Sequence, residues 1–140
     1  MKIRIKKLNE NAVIPTYAKQ GDAGMDLTCV DWGISETYVE YDTGLSMEIP
    51  EGHVGFLFPR SSVSKTNLVL ANCVGVVDSG YRGPVKLRFK ELLGPPGGRY
   101  KTGDRVGQII IMPIPNFEFE EVEELTDTSR GDGGFGSTGK

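Results

Sequence analysis

Short runs in which apolar and polar residues alternate, separated by turn residues, dominate this sequence. Such alternation predicts strands, because successive side chains of a strand point to opposite faces of a sheet. Residues 61–66 can form one short helical turn, and it is the only helix that we predict. We predict strands around residues 3–5, from Asp26 onwards, and at residues 37–41, 45–49, 54–58, 68–70, 73–77, 85–90 and 109–112.

The segment 75–83, Gly-Val-Val-Asp-Ser-Gly-Tyr-Arg-Gly, joins two of these predicted strands. We predict a β-hairpin here, because the Ser-Gly pair supplies turn residues between apolar runs. Its mouth would present the carboxylate of Asp78, the ring of Tyr81 and the cation of Arg82. These groups suit a flat ligand beside a general base, although an ordinary hairpin with a turn aspartate and an exposed tyrosine remains an alternative.

Nineteen glycines and eight prolines in 140 residues favour many turns between short strands. The chain has the length of one domain with a proper core, so we predict an all-β domain over residues 1–125. Residues 117–124 alternate phenylalanine with glutamate and predict either an edge strand or an acidic, solvated face. The glycine-rich remainder, residues 126–140, predicts a flexible arm.

The charge and the cysteines limit the possible partners and compartments. A net charge of −3 and a pI of about 5.2 argue against broad binding to nucleic acid or to an anionic membrane. No apolar run approaches the roughly 20 residues of a membrane helix, and no signal-peptide core follows Met1. Cys29 and Cys73 have no metal or redox spacing, which favours buried, reduced thiols and a cytoplasmic location.

Two polar positions at strand ends could bind a phosphorylated ligand. Asp26 could point into a polar site and hold the water shell of a metal, or it could accept turn N–H groups. Arg60 and Ser61 precede the predicted helical turn, where an N-terminus suits a phosphate. The alternative for Ser61 is a plain helix N-cap. Gln108 lies close to a buried run, so its amide requires a polar partner.

The end of the chain, residues 130–140, combines glycines with a cation, a phenylalanine and hydroxyls. Glycine-rich backbone of this kind can surround phosphates, with Arg130, Phe135, Ser137 and Thr138 as candidate contacts. A mobile polar tail is the alternative. The P-loop pattern is absent, because no Gly-Lys-Ser/Thr follows a strand in the required frame.

Taken together, these segments resemble the five motifs of the trimeric dUTPase family, in order and over nearly the whole chain. The resemblance implies a distorted jelly-roll-like β-barrel with one short helix and a glycine-rich C-terminal arm. It also implies a homotrimer with shared active sites, in which the arm closes over a site of another subunit. The five segments are residues 23–27 (Ala-Gly-Met-Asp-Leu), 59–62 (Pro-Arg-Ser-Ser), 75–83, 103–108 (Gly-Asp-Arg-Val-Gly-Gln) and 130–139.

The resemblance implies hydrolysis of dUTP to dUMP and pyrophosphate, which keeps uracil out of DNA and supplies dUMP for dTMP synthesis. Asp78 would activate the water that attacks the α-phosphorus, and Mg²⁺ would chelate the triphosphate, with Asp26 bound through water. The location would be the cytoplasm, or the host-cell cytoplasm if the protein is viral. The implied substrate contacts are Arg60, Ser61, Ser62, Asn72, Val77, Tyr81, Gln108, Arg130, Phe135, Gly136, Ser137 and Thr138.

The chain departs from the family pattern at two places, and two other functions remain open. Ala71 stands where a glycine is usual, and Lys90-Glu91 stands where an aromatic residue and asparagine are frequent. The related dCTP deaminases would need a catalytic glutamate that residues 75–83 do not contain. A silent binding module for a partner protein is the other alternative, and the sequence identifies no regulatory partner.

Overall fold

The computed structural model describes residues 1–93 and 97–136. Within these ranges the chain forms ten strands and one short 3₁₀ helix, η1. The elements are β1 (Arg4–Lys7), β2 (Met25–Thr28), β3 (Asp31–Ile34), β4 (Val39–Asp42), β5 (Leu45–Glu48), β6 (His53–Phe58), η1 (Ser61–Lys65), β7 (Leu68–Leu70), β8 (Gly75–Val77), β9 (Lys86–Glu91) and β10 (Arg105–Pro113).

The strands form three antiparallel sheets that together make a jelly-roll-like β fold, as the family resemblance implies. One four-stranded sheet has the order β2-β10-β6-β8, the other has the order β3-β4-β9-β7, and β1 pairs with β5. The long strand β10 organises the first sheet, because it pairs with both β2 and β6. This order places β2 and β8 at opposite edges of one sheet.

The core lies between the sheets and follows from the alternation in the sequence. In β4, Val39 and Tyr41 are buried, whereas the two acidic residues between and after them face outwards. The Tyr41 ring makes edge-to-face contacts with Phe89 and Tyr100, at centroid distances of 5.6 and 5.7 Å. Such aromatic pairs stabilise a core beyond their buried area, by about 1 kcal/mol each. The buried Tyr41 hydroxyl accepts a hydrogen bond from the Tyr100 N–H.

The predicted hairpin between residues 73–77 and 85–90 is wrong as a pairing, although both strands exist. β8 pairs with β6, whereas β9 pairs with β4 and β7 in the other sheet. The reason is that the polar backbone groups of Val85 are already bound elsewhere. Its N–H donates to the carbonyl oxygen of Leu45, and its carbonyl accepts from the Thr43 hydroxyl at 2.7 Å. Residues 78–85 therefore cross from one sheet to the other.

Two further segments differ from the sequence-based expectation. β3 was not predicted as a separate strand; it has only four residues, and all of them are exposed, including the apolar Trp32 and Ile34. The edge strand considered for residues 117–124 is wrong, since these residues form no strand and are exposed. Phe117 is 80% exposed and Phe119 is 98% exposed, so the alternation there has no partner surface within the described chain. In the parts of the chain that the structure describes, no helix is long and apolar enough to cross a membrane.

Candidate functional site

A pocket of about 640 Å³ opens where the two four-stranded sheets diverge, beside the end of β8. Three residues predicted to bind substrate line it: Asn72, Val77 and Tyr81. Lys86 and Arg88 of β9 line it as well, although the sequence analysis assigned them no role. Sequence reasoning missed these two because their strand was predicted to belong to an ordinary hairpin arm.

The turn between β7 and β8 forms one wall of the pocket. The Cys73 N–H donates to the carbonyl oxygen of Leu70 at 3.0 Å, and Cys73 has a left-handed backbone with φ of 61°. Its side chain is exposed because it lies in this turn, so the expectation of a buried thiol is wrong for Cys73 and confirmed only for Cys29. Ala71 donates its N–H to the carbonyl oxygen of Arg88 at 2.8 Å, which extends the β7–β9 ladder. Its φ is not positive, so alanine in place of the usual glycine introduces no backbone strain there.

Tyr81 is held at the pocket by its own turn. Its N–H donates to the Asp78 carbonyl oxygen at 3.1 Å, and its hydroxyl donates to the Pro84 carbonyl oxygen at 3.0 Å. Gly83 lies against the ring so closely that a Cβ atom there would overlap the tyrosine hydroxyl. The glycine is therefore required for the ring to lie in this position, where it can support a flat or sugar-like ligand.

Asp78 lies directly after β8, in the turn that ends with Tyr81. Its side chain is exposed, and among the described residues it makes no hydrogen bond or ion pair. A carboxylate without a cationic partner keeps its lone pairs available to a water molecule. The arrangement thus leaves a potential general base directly after Val77, which lines the pocket.

A second polar cluster surrounds Asp26 on β2. Arg60 donates from Nε to one carboxylate oxygen at 2.7 Å, and Arg105 donates from Nη1 to the other at 3.0 Å. The alternative in which Asp26 accepts turn N–H groups is therefore wrong, because two guanidinium groups occupy its oxygens. Gln108 faces Asp26 across the β2–β10 ladder and donates from Nε2 to the Pro59 carbonyl oxygen at 3.1 Å.

The short helix η1 follows this cluster at once and confirms the predicted helical turn. Arg60, not Ser61, occupies the N-cap position, and no side chain caps the helix. The alternative of Ser61 as an N-cap is therefore wrong. The Ser61 hydroxyl is exposed and makes no hydrogen bond to any described residue, whereas the Ser62 hydroxyl lies 3.3 Å from that of Tyr100.

Gly24 is required by the position of the Gln108 side chain. A Cβ atom at residue 24 would lie 2.5 Å from Oε1 of Gln108, which is closer than real side chains approach. We expect Gly24→Ala to displace this amide, so that kcat falls at least about tenfold if Gln108 positions the substrate, as for other misplaced groups in active sites. Steady-state kinetics measures the effect, and Gly33→Ala, where a Cβ meets no atom within 4 Å, is the matched control. Equal activity of both variants would contradict the requirement.

The described hydrogen bonds of the C-terminal arm, residues 126–136, lie within the arm. Ile114 donates its N–H to the Gly52 carbonyl oxygen at 2.8 Å, and beyond it the described backbone hydrogen bonds of the arm join residues 128–133 to one another. Arg130 donates from Nε to the Gly133 carbonyl oxygen at 3.0 Å. Phe135 is fully exposed, and Gly136 has a positive φ of 82°. Ser137 and Thr138 lie outside the described residues.

The Asp78 carboxylate and the cluster around Asp26 are not adjacent within one chain. Asp26 lies on β2 and Asp78 follows β8, and these strands are the two edges of one four-stranded sheet. Three strand spacings of about 4.8 Å separate edge strands in such a sheet, which amounts to about 14 Å. Among the described residues, no group of three histidine, cysteine, aspartate or glutamate side chains is arranged to hold a metal ion.

Comparison with known proteins decides the family. The dUTPase family model matches residues 10–139. The chain belongs to the dUTPase family. Its membership makes it a dUTP diphosphatase, a hydrolase that converts dUTP to dUMP, and confirms the resemblance found in the five motifs. The dCTP deaminase alternative finds no support in this match.

Relatives and solved structures of the dUTPase family cover nearly the whole chain. A deoxyuridine 5'-triphosphate nucleotidohydrolase from Hydrogenobaculum is 38% identical over 148 residues, covering 99% of each chain. The corresponding Wolinella succinogenes protein is 41% identical over 145 residues, covering 100% of this chain and 95% of the relative. The dUTPase of Staphylococcus bacteriophage 80alpha with dUPNHPP superimposes with a TM-score of 0.83 at 30% identity, covering 99% of each chain.

Proposed function

We propose that the chain cleaves dUTP at the α-phosphorus, with Asp78 as the general base. Asp78 takes a proton from a water molecule while the water oxygen bonds to the α-phosphorus. The bond from this phosphorus to the bridging oxygen breaks, and pyrophosphate leaves. The observation that carries this proposal is an exposed carboxylate, without a cationic partner among the described residues, directly after Val77 in the chain. Val77 lines the pocket together with Asn72 and Tyr81.

The pocket geometry supports selection of the base and the sugar. In the turn at residues 71–74, the N–H groups of Ala71, Cys73 and Val74 already donate within the chain, which leaves the Asn72 N–H as the backbone donor that can pair with the edge of uracil. Cytosine carries an amino donor where uracil has a carbonyl, so a backbone donor would remain unpaired and the wrong base would be rejected. Tyr81, which is fixed by its bond to Pro84, would contact the deoxyribose and leave no room for a 2′-hydroxyl.

The second cluster would bind the phosphates. Ser61 has an exposed hydroxyl, and Gln108 has an acceptor oxygen that its bond to Pro59 leaves unused. These groups and Ser62 would contact the α- and β-phosphates and orient the water. Arg60 binds Asp26, so its main role is to hold this cluster in place. Arg130, Phe135, Gly136, Ser137 and Thr138 would come from the arm, with Phe135 over uracil and the others at the γ-phosphate.

We propose a homotrimer in which each active site is shared between subunits. The supporting observation is that Asp78 follows β8 and Asp26 lies on β2, and these strands form opposite edges of one sheet. The proposed mechanism places Asp78 and Gln108 at the same α-phosphate, and groups that lie about 14 Å apart in one chain can meet there only if they come from two chains. The arm carries one large apolar side chain, Phe135, which is fully exposed in the single chain, and this suits closure of the arm over another subunit. In this view residues 1–125 form the β-barrel domain and residues 126–140 form the flexible lid.

Mg²⁺ would be the cofactor, bound mainly by the triphosphate. Both Asp26 oxygens already accept hydrogen bonds from arginines, so this carboxylate suits a magnesium-bound water better than direct ligation. The ion would neutralise charge on the phosphates. A structural neighbour, a dUTPase variant from phage phi11 of S. aureus, is described with a structural Mg(II) ion; it is 29% identical over 89% of this chain, with a TM-score of 0.73.

The cellular role would be to keep uracil out of DNA and to supply dUMP for dTMP synthesis in the cytoplasm. The test is to incubate the purified protein and Mg²⁺ separately with dUTP, dCTP, dTTP and UTP, and to measure pyrophosphate and ammonia. We expect pyrophosphate from dUTP alone, loss of turnover with EDTA, and a trimer by analytical ultracentrifugation. Ammonia from dCTP would indicate a deaminase, and no product from any nucleotide would indicate a binding module.

A further inference from the structure

Arg105, the first residue of β10, shares a face of its sheet with Gln108, although the two are three residues apart. In a regular strand, residues at this spacing face opposite sides, because successive side chains alternate. Gln108 lies opposite Asp26 in the β2–β10 ladder, whereas Arg105 lies opposite Thr28. Asp26 and Thr28 are two residues apart on β2, so both point away from the core, and their partners on β10 do the same.

A β-bulge at Val106 produces this arrangement, because β10 has one more residue than β2 between two successive pairs of the ladder. The Val106 side chain is fully buried in the core. The next residue must be Gly107, since a Cβ atom there would overlap the Leu87 side chain. Bulges often lie next to active sites, where they redirect a side chain. This bulge redirects Arg105 onto the sheet face that carries Asp26.

The two arginines that bind Asp26 differ in how much of them remains available to a ligand. The side chain of Arg60 is 26% exposed, whereas that of Arg105 is 56% exposed. Because two guanidinium groups face one carboxylate, the cluster carries excess positive charge. A guanidinium has five N–H donors, and in the described part of the chain Arg105 uses a single one, on Nη1, for Asp26. Its other donors are therefore available to an anion beside Gln108.

We propose that Arg105 is a further substrate-positioning residue, whose free guanidinium donors bind the phosphate chain of the nucleotide beside Gln108. This inference rests on the proposed function, because it takes the cluster around Asp26 as the phosphate-binding part of the site. An arginine suits the role, since its planar group can contact two phosphate oxygens at once. The bond to Asp26 orients that group before the substrate arrives, which lowers the ordering cost of binding. Arg60 holds the carboxylate, and Arg105 contacts the ligand.

The experiment measures the affinity of the full-length protein and three variants for a non-hydrolysable dUTP analogue, by calorimetry, and for deoxyuridine, which has no phosphates, by NMR titration. Arg105→Gln removes the charge, Arg105→Lys keeps the charge without the planar group, and Arg99→Gln is the matched control. Arg99 is also a partly exposed arginine bound to a carboxylate, that of Glu91, but it does not contact Asp26.

Each titration with the analogue is carried out with Mg²⁺ and again with EDTA. A contact that Arg105 makes itself persists without the metal, whereas an effect that Arg105 exerts through Asp26 on bound Mg²⁺ disappears. Thermal unfolding by circular dichroism checks that each variant is folded.

We expect Arg105→Gln to weaken analogue binding roughly 10- to 100-fold with Mg²⁺ and with EDTA, the range for a hydrogen bond to a charged group, and to leave deoxyuridine binding unchanged. Arg105→Lys recovers part of the affinity, and Arg99→Gln changes nothing. If Arg105→Gln does not fold, Arg105→Lys provides the test, with a smaller loss in the same pattern.

Three results would overturn the inference while dUTP hydrolysis by the parent protein stands: unchanged analogue affinity in the folded Arg105 variants, a loss confined to the titration with Mg²⁺, or an equal loss for deoxyuridine. A parent protein that releases no pyrophosphate from dUTP would overturn the proposed function and this inference with it.

Discussion

Replacing Asp78 with asparagine will lower kcat for dUTP at least about 100-fold and leave nucleotide affinity within about threefold of the parent, the range expected for a lost general base. The amide has nearly the shape of the carboxylate but cannot accept the proton of the attacking water. Since Asp78 makes no side-chain hydrogen bond or ion pair within the described residues, the substitution breaks no contact that stabilises the fold. Single-turnover kinetics measures the chemical step, and calorimetry with a non-hydrolysable dUTP analogue measures affinity.

The control for this variant is Asp31→Asn, an exposed aspartate of β3 in the other sheet. Its Oδ1 accepts the Trp32 N–H at 2.9 Å, a bond that asparagine can keep. We expect parent activity from it. Near-parent kcat in Asp78→Asn would show that another group takes the proton, and the general-base assignment would then be wrong. A parallel loss of affinity would instead assign Asp78 to substrate binding.

Deleting residues 126–140 will lower kcat/KM at least about 100-fold, because the proposed lid supplies charge-stabilising donors and excludes water. The melting temperature will change by less than about 2 °C. This combination is expected because the described part of the arm makes hydrogen bonds only within itself, so its loss removes no described hydrogen bond to the barrel. Steady-state kinetics and thermal unfolding by circular dichroism measure the two effects.

Deleting Lys140 alone is the matched control, since it lies beyond residues 10–139 that the family model matches. Mixing the truncated protein with Asp78→Asn protein tests whether the arm acts on another subunit. If sites are shared, mixed trimers will contain some sites with both an intact arm and an intact Asp78, and activity will exceed that of either variant. Activity no higher than the sum of the separate variants would contradict shared sites. A large fall in melting temperature on truncation would show instead that the arm belongs to the folded domain.

The sequence by itself determined the all-β class, most strand positions and the family. The alternation in β4, β5 and β6 identifies strands because the two faces of a strand meet different surroundings, and this information is local. The helical turn at η1 and the glycine-rich arm were also predicted from local sequence. The candidate residues at the pocket and in the cluster around Asp26 were predicted from the motifs and not from periodicity.

Only the tertiary structure decided which elements meet. The sequence predicted that strands 73–77 and 85–90 form a hairpin. However, Val85 makes hydrogen bonds to Thr43 and Leu45, and the two strands belong to different sheets. Asp26 accepts hydrogen bonds from Arg60 and Arg105, which are 34 and 79 residues away in sequence. In the same way, Lys86 donates a hydrogen bond to Glu40 of β4, which is 46 residues away. Alternation fixes the face of each side chain, whereas hydrogen bonds between distant strands fix its partner, and no local pattern contains that information.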